Sequence, residues 1–395
     1  MSEIIMVGCD LHDKTMLLKV AQGRGDAEKL LRPNTPAGRQ SLIQWLRERS
    51  ERAGGAKVIF AYEASGQGFG LYDELTDAGI QCHVLAPTRI ERSSSQKKRK
   101  TDEKDAELIL SLLRAHVLAG NRLPDVWIPD SATRDDRELV RARCDVSHKV
   151  SGIKSQIKGL LKRNRLERPD GLGKGWTKSY RAWLRALAAA DSSLGSGSRA
   201  ALDSLLSQLE HLEDEELKLN KGLAELAQAV RYQRAVYELL RIRGVGLFTA
   251  LVFLTEIGDL NRFANRRQLA AFLGLVPSSN ETGERGDCKG HITRQGPSRV
   301  RSVLCQAAWS TVRGETPERA AYQRIVTKNP KRKKVALVAA MRRLGIRMWH
   351  VGRDAQQAVA SARAIHGGRD HQAPSSLPPA PQPPSPLLCC SEKAS

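Results

Sequence analysis

The sequence predicts an α/β domain followed by a longer, mainly helical region. Two observations carry that expectation. Short apolar runs of strand length alternate with helical spacing up to about residue 86, and heptad-like apolar spacing then takes over. A third observation bears on partners. Of 395 residues, 64 are Lys or Arg and 43 are Asp or Glu, a net charge of +21. Such a surplus calls for a polyanion, and nucleic acid is the first reading because Lys and Arg release counterions from phosphates.

Residues 3–9 (Glu-Ile-Ile-Met-Val-Gly-Cys) read as a buried strand that ends at Asp10. Met16–Ala21 reads as a second strand after a His12-Asp13-Lys14 turn, and residues 28–32 as a third. Thr35 to Arg52 has a helical apolar face in Leu42, Ile43, Trp45 and Leu46. Lys57–Tyr62 is a further apolar run ending at Glu63, Gly70–Ala78 a short helix stopped at Gly79, and Gln81–Ala86 a fifth strand. Three strands, helix, strand, helix, strand is an order similar to an RNase H-like mixed sheet. Residues 89–104 are strongly basic, with Arg89, Arg92, Lys97, Lys98, Arg99, Lys100 and Lys104, and read as a charged loop. Thr101 suits a helix N-cap, and the helix runs from Asp102 to about Val117.

The middle reads as a coiled-coil hairpin or dimer seam. Val146, Val150, Ile153, Ile157 and Leu160 form one heptad-like series. Leu202, Leu205, Leu209, Leu212, Leu219, Leu223, Leu226 and Val230 form another, with Glu216 out of pattern. Between them, Arg168 to Ser198 is rich in Gly and Ser and reads as an elaborated tip. The C-terminal region opens on Arg243-Gly244-Val245-Gly246, a turn in which backbone can approach a phosphate closely. Helices are expected over 247–257, 267–273, 297–312 and 333–363, with a polar loop from Val276 to Gly296. From Gly367 the chain is Pro- and Ser-rich and reads as disordered. These divisions give domains at 1–128, 129–232 and 233–363, with a tail at 364–395.

Composition also excludes. Aromatics are 5%, too few for broad base-stacking platforms. No apolar run reaches the 18 residues or so of a membrane span, and the N-terminus lacks the basic and apolar segments of a signal peptide. Seven scattered cysteines without metal spacing fit reduced thiols and a cytoplasmic protein.

Four acids stand out by context. Asp10 and Glu63 end buried strands, and Asp102 and Asp105 share one face of a helix start. Singly, each has a plain explanation as a strand end or a helix-dipole partner. Jointly, beside a basic loop, they point to divalent metal, since Mg²⁺ prefers carboxylate oxygens and metal pairs serve phosphoryl transfer. The loop Gly274–Arg285 holds Ser278, Ser279 and Thr282 and is followed by Lys289, Arg294 and Arg299. A hydroxyl beside cations is a possible nucleophile toward phosphorus. Composition alone favours an ordinary polar turn. Lys328-Asn329-Pro330-Lys331-Arg332-Lys333-Lys334 reads as a phosphate-contacting or solvated charge run. Cys288, near His291, has no third partner for cysteine chemistry.

The ordered set Val7-Gly8-Cys9-Asp10-Leu11-His12, Tyr62-Glu63-Ala64-Ser65-Gly66, Lys100-Thr101-Asp102-Glu103-Lys104-Asp105-Ala106, Arg243-Gly244-Val245-Gly246 and Ala270 to Pro277 resembles the DEDD transposases of insertion sequences. That family is related to pilin-gene invertases and includes bridge-RNA-guided recombinases. The resemblance covers about residues 3–350. It implies a RuvC-like N-terminal domain whose Asp10, Glu63, Asp102 and Asp105 bind Mg²⁺, and a C-terminal domain with a serine nucleophile. It further implies a composite site on a dimer or tetramer, donor and target DNA as substrates, and a structured guide RNA that chooses sequence by pairing. It places the protein in a prokaryotic cytoplasm, at the nucleoid. The family's serine position is Thr282 here, which leaves three readings: Thr282 as nucleophile, Ser278 or Ser279 in its place, or a decayed copy. Lys97, Lys98, Arg99, Lys100, Gly244, Gly246, Lys289, Arg294 and Arg299 are the expected nucleic-acid contacts. Two other functions compete: a RuvC-like nuclease using metal-activated water, and a nucleic-acid-binding protein without catalysis.

Overall fold

The computed structural model of the chain describes residues 4–90, 101–173, 175–190, 192–282 and 285–366. The chain divides between Ile128 and Pro129 into two units.

The first unit is built on one five-stranded sheet. Its strands are β1 (Ile5–Leu11), β2 (Thr15–Gln22), β3 (Glu28–Pro33), β4 (Val58–Glu63) and β5 (Gln81–Leu85). Their spatial order is β3-β2-β1-β4-β5. The β1–β2 and β2–β3 pairs are antiparallel, while β1–β4 and β4–β5 are parallel. Helices α1 (Pro36–Arg52) and α2 (Gly70–Asp77) cover one face, and α3 (Asp102–Ala119) covers the other. Because β1 is central and covered on both faces, it reads as a continuous apolar run rather than an alternating one. Ile5, Val7 and Cys9 pack with Leu42, Leu46, Leu71 and Leu75, while Met6 packs with Ile109, Leu110 and Leu113. Thr35 caps α1 by accepting from the Gly38 N–H at 3.1 Å, with Pro36 in the first turn. Thr101 caps α3, whose first turn carries Asp102, Glu103 and Asp105, and Gly120 ends it in a left-handed conformation.

The second unit is helical. Helices α4 (Ser131–Arg163) and α6 (Ser196–Gln228), 33 residues each, pack against one another. Val150, Ile153, Ile157 and Leu160 meet Leu202, Leu206 and Leu209 in one core. Leu205 and Leu212 are only half-buried beside it. Val230, expected in the apolar series, lies beyond the end of α6 and is 65% exposed. The irregular Glu216 instead pairs with Arg143 of α4 at 2.5 Å, so the break in the pattern marks a switch from apolar to ionic packing. The Gly- and Ser-rich tip contains a helix, α5 (Lys178–Ala188), which presents Tyr180 and Leu184 to this core. Flanking glycines hide its apolar face in the sequence.

A second core gathers α7 (Gln233–Leu240), α8 (Leu247–Ile257), α9 (Arg266–Phe272), α10 (Ser298–Thr311), α11 (Pro317–Lys328) and α12 (Lys333–His366). Helix α8 is buried from Ala250 to Ile257, which explains its uniformly apolar sequence. Trp349 of α12 donates from Nε1 to the Leu260 carbonyl at 2.8 Å. Two expectations are corrected here. The segment 276–296, expected as a polar loop, forms an antiparallel hairpin of β6 (Pro277–Thr282) and β7 (Arg285–Ile292). Pro277, Ser278, Gly290 and His291 are all exposed, so no apolar alternation marks these strands. Helix α11 was not expected; Thr316 caps it and Pro317 opens it. No helix among the described residues is long and apolar enough to cross a membrane.

Candidate catalytic site

The burial of β1 stops at Asp10. Strand alternation turns Met6, Gly8 and Asp10 toward α3, whereas Val7 and Cys9 face the other layer. Gly8 sets the spacing. A Cβ there would meet the Leu110 nitrogen at 2.4 Å and the Ala106 carbonyl at 2.5 Å. The α3 backbone therefore lies directly on β1, and the first turn of α3 comes to the end of the strand. The parallel register pairs Cys9 with Tyr62, which brings Glu63 level with Asp10 on the neighbouring strand.

A second anchor holds α3 from β2 and β3. Lys19 reaches Glu103 at 2.8 Å and Lys29 reaches it at 2.6 Å, with Glu107 at 3.9 Å from Lys19. The two ammonium groups draw the Glu103 carboxyl from its ordinary 4.5 down to about 2.

Asp10 and Asp102 meet at His12. The His12 Nε2 lies 3.0 Å from Asp10 Oδ2 and 3.4 Å from Asp102 Oδ1. One potential ligand atom from each of Asp10, His12 and Asp102 lies within 4.8 Å of the others. Asp10 is the sheltered member, 15% exposed against 62% for Asp102. Asp105 is buried on the same helix turn. Burial raises the Asp10 carboxyl, contact with His12 partly offsets this, and Asp105 and Asp102 raise it further. The donors that meet here are hard carboxylate oxygens with one imidazole nitrogen. That donor set fits a divalent cation. His12 is part of the sequence motif but was not expected as a site residue; the Asp10-Leu11-His12 spacing across a strand end is its one available signal.

Thr282 is the last residue of β6, paired in the backbone with Arg285 across the hairpin end. The hairpin base is tightly built. Arg301 of α10 donates from one guanidinium nitrogen to the carbonyls of Leu273, Gln295 and Gly296 at 3.2, 3.0 and 3.1 Å. Gly296, at φ +80°, approaches the Phe272 carbonyl so closely that a Cβ would fall 1.9 Å from it. Sequence reasoning missed Arg301 as a support. The Ser278 hydroxyl donates to the His291 carbonyl at 3.0 Å, a cross-strand tie within the hairpin.

The expected nucleic-acid contacts fall into three groups. Lys97, Lys98, Arg99 and Lys100 lie outside the described residues, as does the side chain of Lys289. Arg294 is exposed, whereas Arg299 bonds Asp145 at 2.9 Å and ties α10 to α4. Gly244 packs under α10, where a Cβ would meet the Ala307 carbonyl at 2.8 Å, while nothing lies within 4 Å of a Cβ on Gly246.

Comparison with known proteins gives the class. A family model for the DEDD transposases of IS110 elements, described as a transposase, matches residues 7–164. A second, described as the transposase IS116/IS110/IS902 family, matches residues 236–324. Among curated relatives, the putative transposase y4qE of Sinorhizobium fredii is 31% identical over 325 residues, 76% of each chain. The transposase for insertion sequence element IS1533 of Leptospira borgpetersenii is 24% identical, covering 78% of this chain and 86% of its own. The transposase for IS1111A of Coxiella burnetii is also 24% identical, over 64% and 65% of the two chains. The chain belongs to the IS110-type DEDD transposases of insertion sequences, enzymes that act on DNA.

Proposed function

We propose that this transposase exchanges DNA strands by transesterification, with Asp10, Glu63, Asp102 and Asp105 holding Mg²⁺ and Thr282 supplying the nucleophilic hydroxyl. The observation that carries the reading is the meeting of Asp10 and Asp102 at His12, where β1 reaches the first turn of α3, with Asp105 near enough to raise the Asp10 carboxyl. The sheet order, three antiparallel strands followed by two parallel ones, supports a RuvC-like reading of residues 1–128. The helical segment 129–232 and the segment 233–363 with the hairpin are then the scaffold and the nucleophile-bearing domain.

When bound, the cation neutralises charge on the phosphate oxygens at the reacting centre. The protein's own groups divide the remaining work. Asp10, Glu63, Asp102 and Asp105 would hold the cation, while the clamp of Lys19 and Lys29 on Glu103 keeps the first turn of α3, and so Asp102, in place. Arg301 and Gly296 hold the hairpin base. The Thr282 hydroxyl loses its proton as its oxygen bonds to phosphorus; the bond from phosphorus to the sugar oxygen breaks, and that oxygen takes up a proton. A sugar hydroxyl of the other duplex then attacks the same phosphorus and releases Thr282, so phosphodiester bonds are conserved. Lys289, Arg294 and the basic run 97–100 contact backbone phosphates in this reading. A structured RNA beside the element chooses the sites, and the enzyme works as a dimer or tetramer on nucleoid DNA in the cytoplasm.

The test is plasmid recombination with the element's flanks supplied, comparing wild type with Thr282→Ser, Thr282→Ala and Asp10→Ala. Recombination in wild type and Thr282→Ser but in neither other variant supports the assignment. Recombination by Thr282→Ala moves the nucleophile to another hydroxyl, and hydrolysed ends without joining favour a water-using nuclease. Unchanged recombination after scrambling the flanking noncoding segment would remove the guide RNA from the reading.

A further inference from the structure

We infer that His12 is a direct nitrogen ligand in the metal site and gives it a preference for Mn²⁺ over Mg²⁺. This rests on the metal reading above and adds a residue and a selectivity to it.

The geometry is specific to His12. Its Nε2 faces two carboxylates at once, 3.0 Å from Asp10 and 3.4 Å from Asp102. One ring nitrogen placed between two metal-ligand candidates stands where a cation would share all three groups. The backbone that carries the ring is held from two sides. His12 N–H donates to the Thr15 carbonyl at 2.9 Å, and the Asn34 amide donates to the His12 carbonyl at 2.8 Å. Asn34 is itself fixed: its amide also donates to Gln67 Oε1 at 2.8 Å, and its oxygen accepts from Arg39 at 3.1 Å. Gln67 then donates to Asp13 at 3.2 Å. The turn after β1 is therefore pinned to the loop after β4, and the imidazole is presented by a supported backbone.

The chemistry follows from the donor. Carboxylate oxygens suit Mg²⁺ and Mn²⁺ alike, but imidazole nitrogen favours the transition metal. Replacing the nitrogen by an amide oxygen should leave a site that holds Mg²⁺ and no longer favours Mn²⁺.

The experiment uses the full-length, nucleic-acid-free protein with the metals alone. Mn²⁺ and Mg²⁺ affinities are measured by calorimetry, and Mn²⁺-bound samples are examined by pulsed electron paramagnetic resonance for nitrogen modulation. Wild type should show a coordinated nitrogen. In His12→Gln that signal should vanish, Mn²⁺ should bind roughly tenfold or more weakly, and Mg²⁺ should change less. Nitrogen modulation that persists in His12→Gln, or an unchanged ratio of the two affinities, overturns the inference and leaves the carboxylate site standing. Asp10→Asn separates the two readings: if it leaves Mn²⁺ affinity unchanged, or if wild type binds no Mn²⁺, the metal site itself is wrong. Circular dichroism confirms that each variant is folded.

Discussion

Gly8 decides how near α3 can come to β1. A methyl group there would collide with main-chain atoms at 2.4 and 2.5 Å, and backbone has no rotamer with which to yield. Gly8→Ala is expected to destabilise the fold by about 1–3 kcal/mol, as overpacking does. It should also weaken divalent metal binding, because the first turn of α3 moves with the helix; denaturant titration and calorimetry check both. Asp10→Asn should act in the opposite sense on stability. Burial and neighbouring acids disfavour the Asp10 charge in the folded state, so a neutral isostere removes a cost. The metal-free variant should melt higher than wild type and gain no further stability from added Mg²⁺. The places of Asp10 and Glu63 near strand ends and of Asp102 and Asp105 in the first turn of a helix were legible in the sequence from apolar runs and a capping threonine. His12 and Gly8 were not, since one depends on turn geometry and the other on what lies above the sheet.

At the scale of elements, ion pairs set how helices are held. Glu103 joins α3 to β2 and β3, and its carboxyl is drawn down to about 2 by Lys19 and Lys29. A depressed carboxyl contributes stability above its ordinary value of 4.5 that is lost as pH falls toward about 2. Glu103→Gln should therefore flatten the pH dependence of stability in that window, read from melting temperatures across it. In the second unit, Arg137 donates to the Thr255 and Glu256 carbonyls at the end of α8, and Arg141 binds the Glu256 carboxylate through both oxygens at 2.8 and 3.0 Å. Arg141→Ala leaves a buried carboxylate without that partner. The expected cost is about 2–3 kcal/mol, below the range for a fully buried pair because Arg141 is 35% exposed. A lowered urea midpoint would show it. Strands β1 to β5 were legible from apolar runs and α4 and α6 from their periodicity. The β6–β7 hairpin was not, because both its strands are polar, and neither was α5, because glycines obscure its apolar face.

For the whole molecule, a net charge of +21 makes nucleic-acid affinity a function of salt. The exposed turn between α11 and α12, with Lys331 and Arg332, is expected to neutralise two backbone phosphates. Replacing both with Ala should reduce the slope of log affinity against log salt by about 0.9 for each phosphate no longer neutralised. An unchanged slope would place the polyanion elsewhere. The charge excess and the order of motifs were legible from composition and spacing. The partition at Ile128 follows from where the sheet and the helical cores close, which depends on packing between residues distant in sequence.

The meeting of β1 and α3 has a consequence for how such a protein can change over time. The separation of Asp10 from Asp102 depends on main chain resting against main chain at Gly8, with little interposed side-chain bulk. Leu, Ile and Val can exchange elsewhere in the two flanking cores, and the surface can turn over, while Asp10 and Asp102 keep their spacing. A chain tethered at one glycine is free to vary at many other positions without moving the two acids apart.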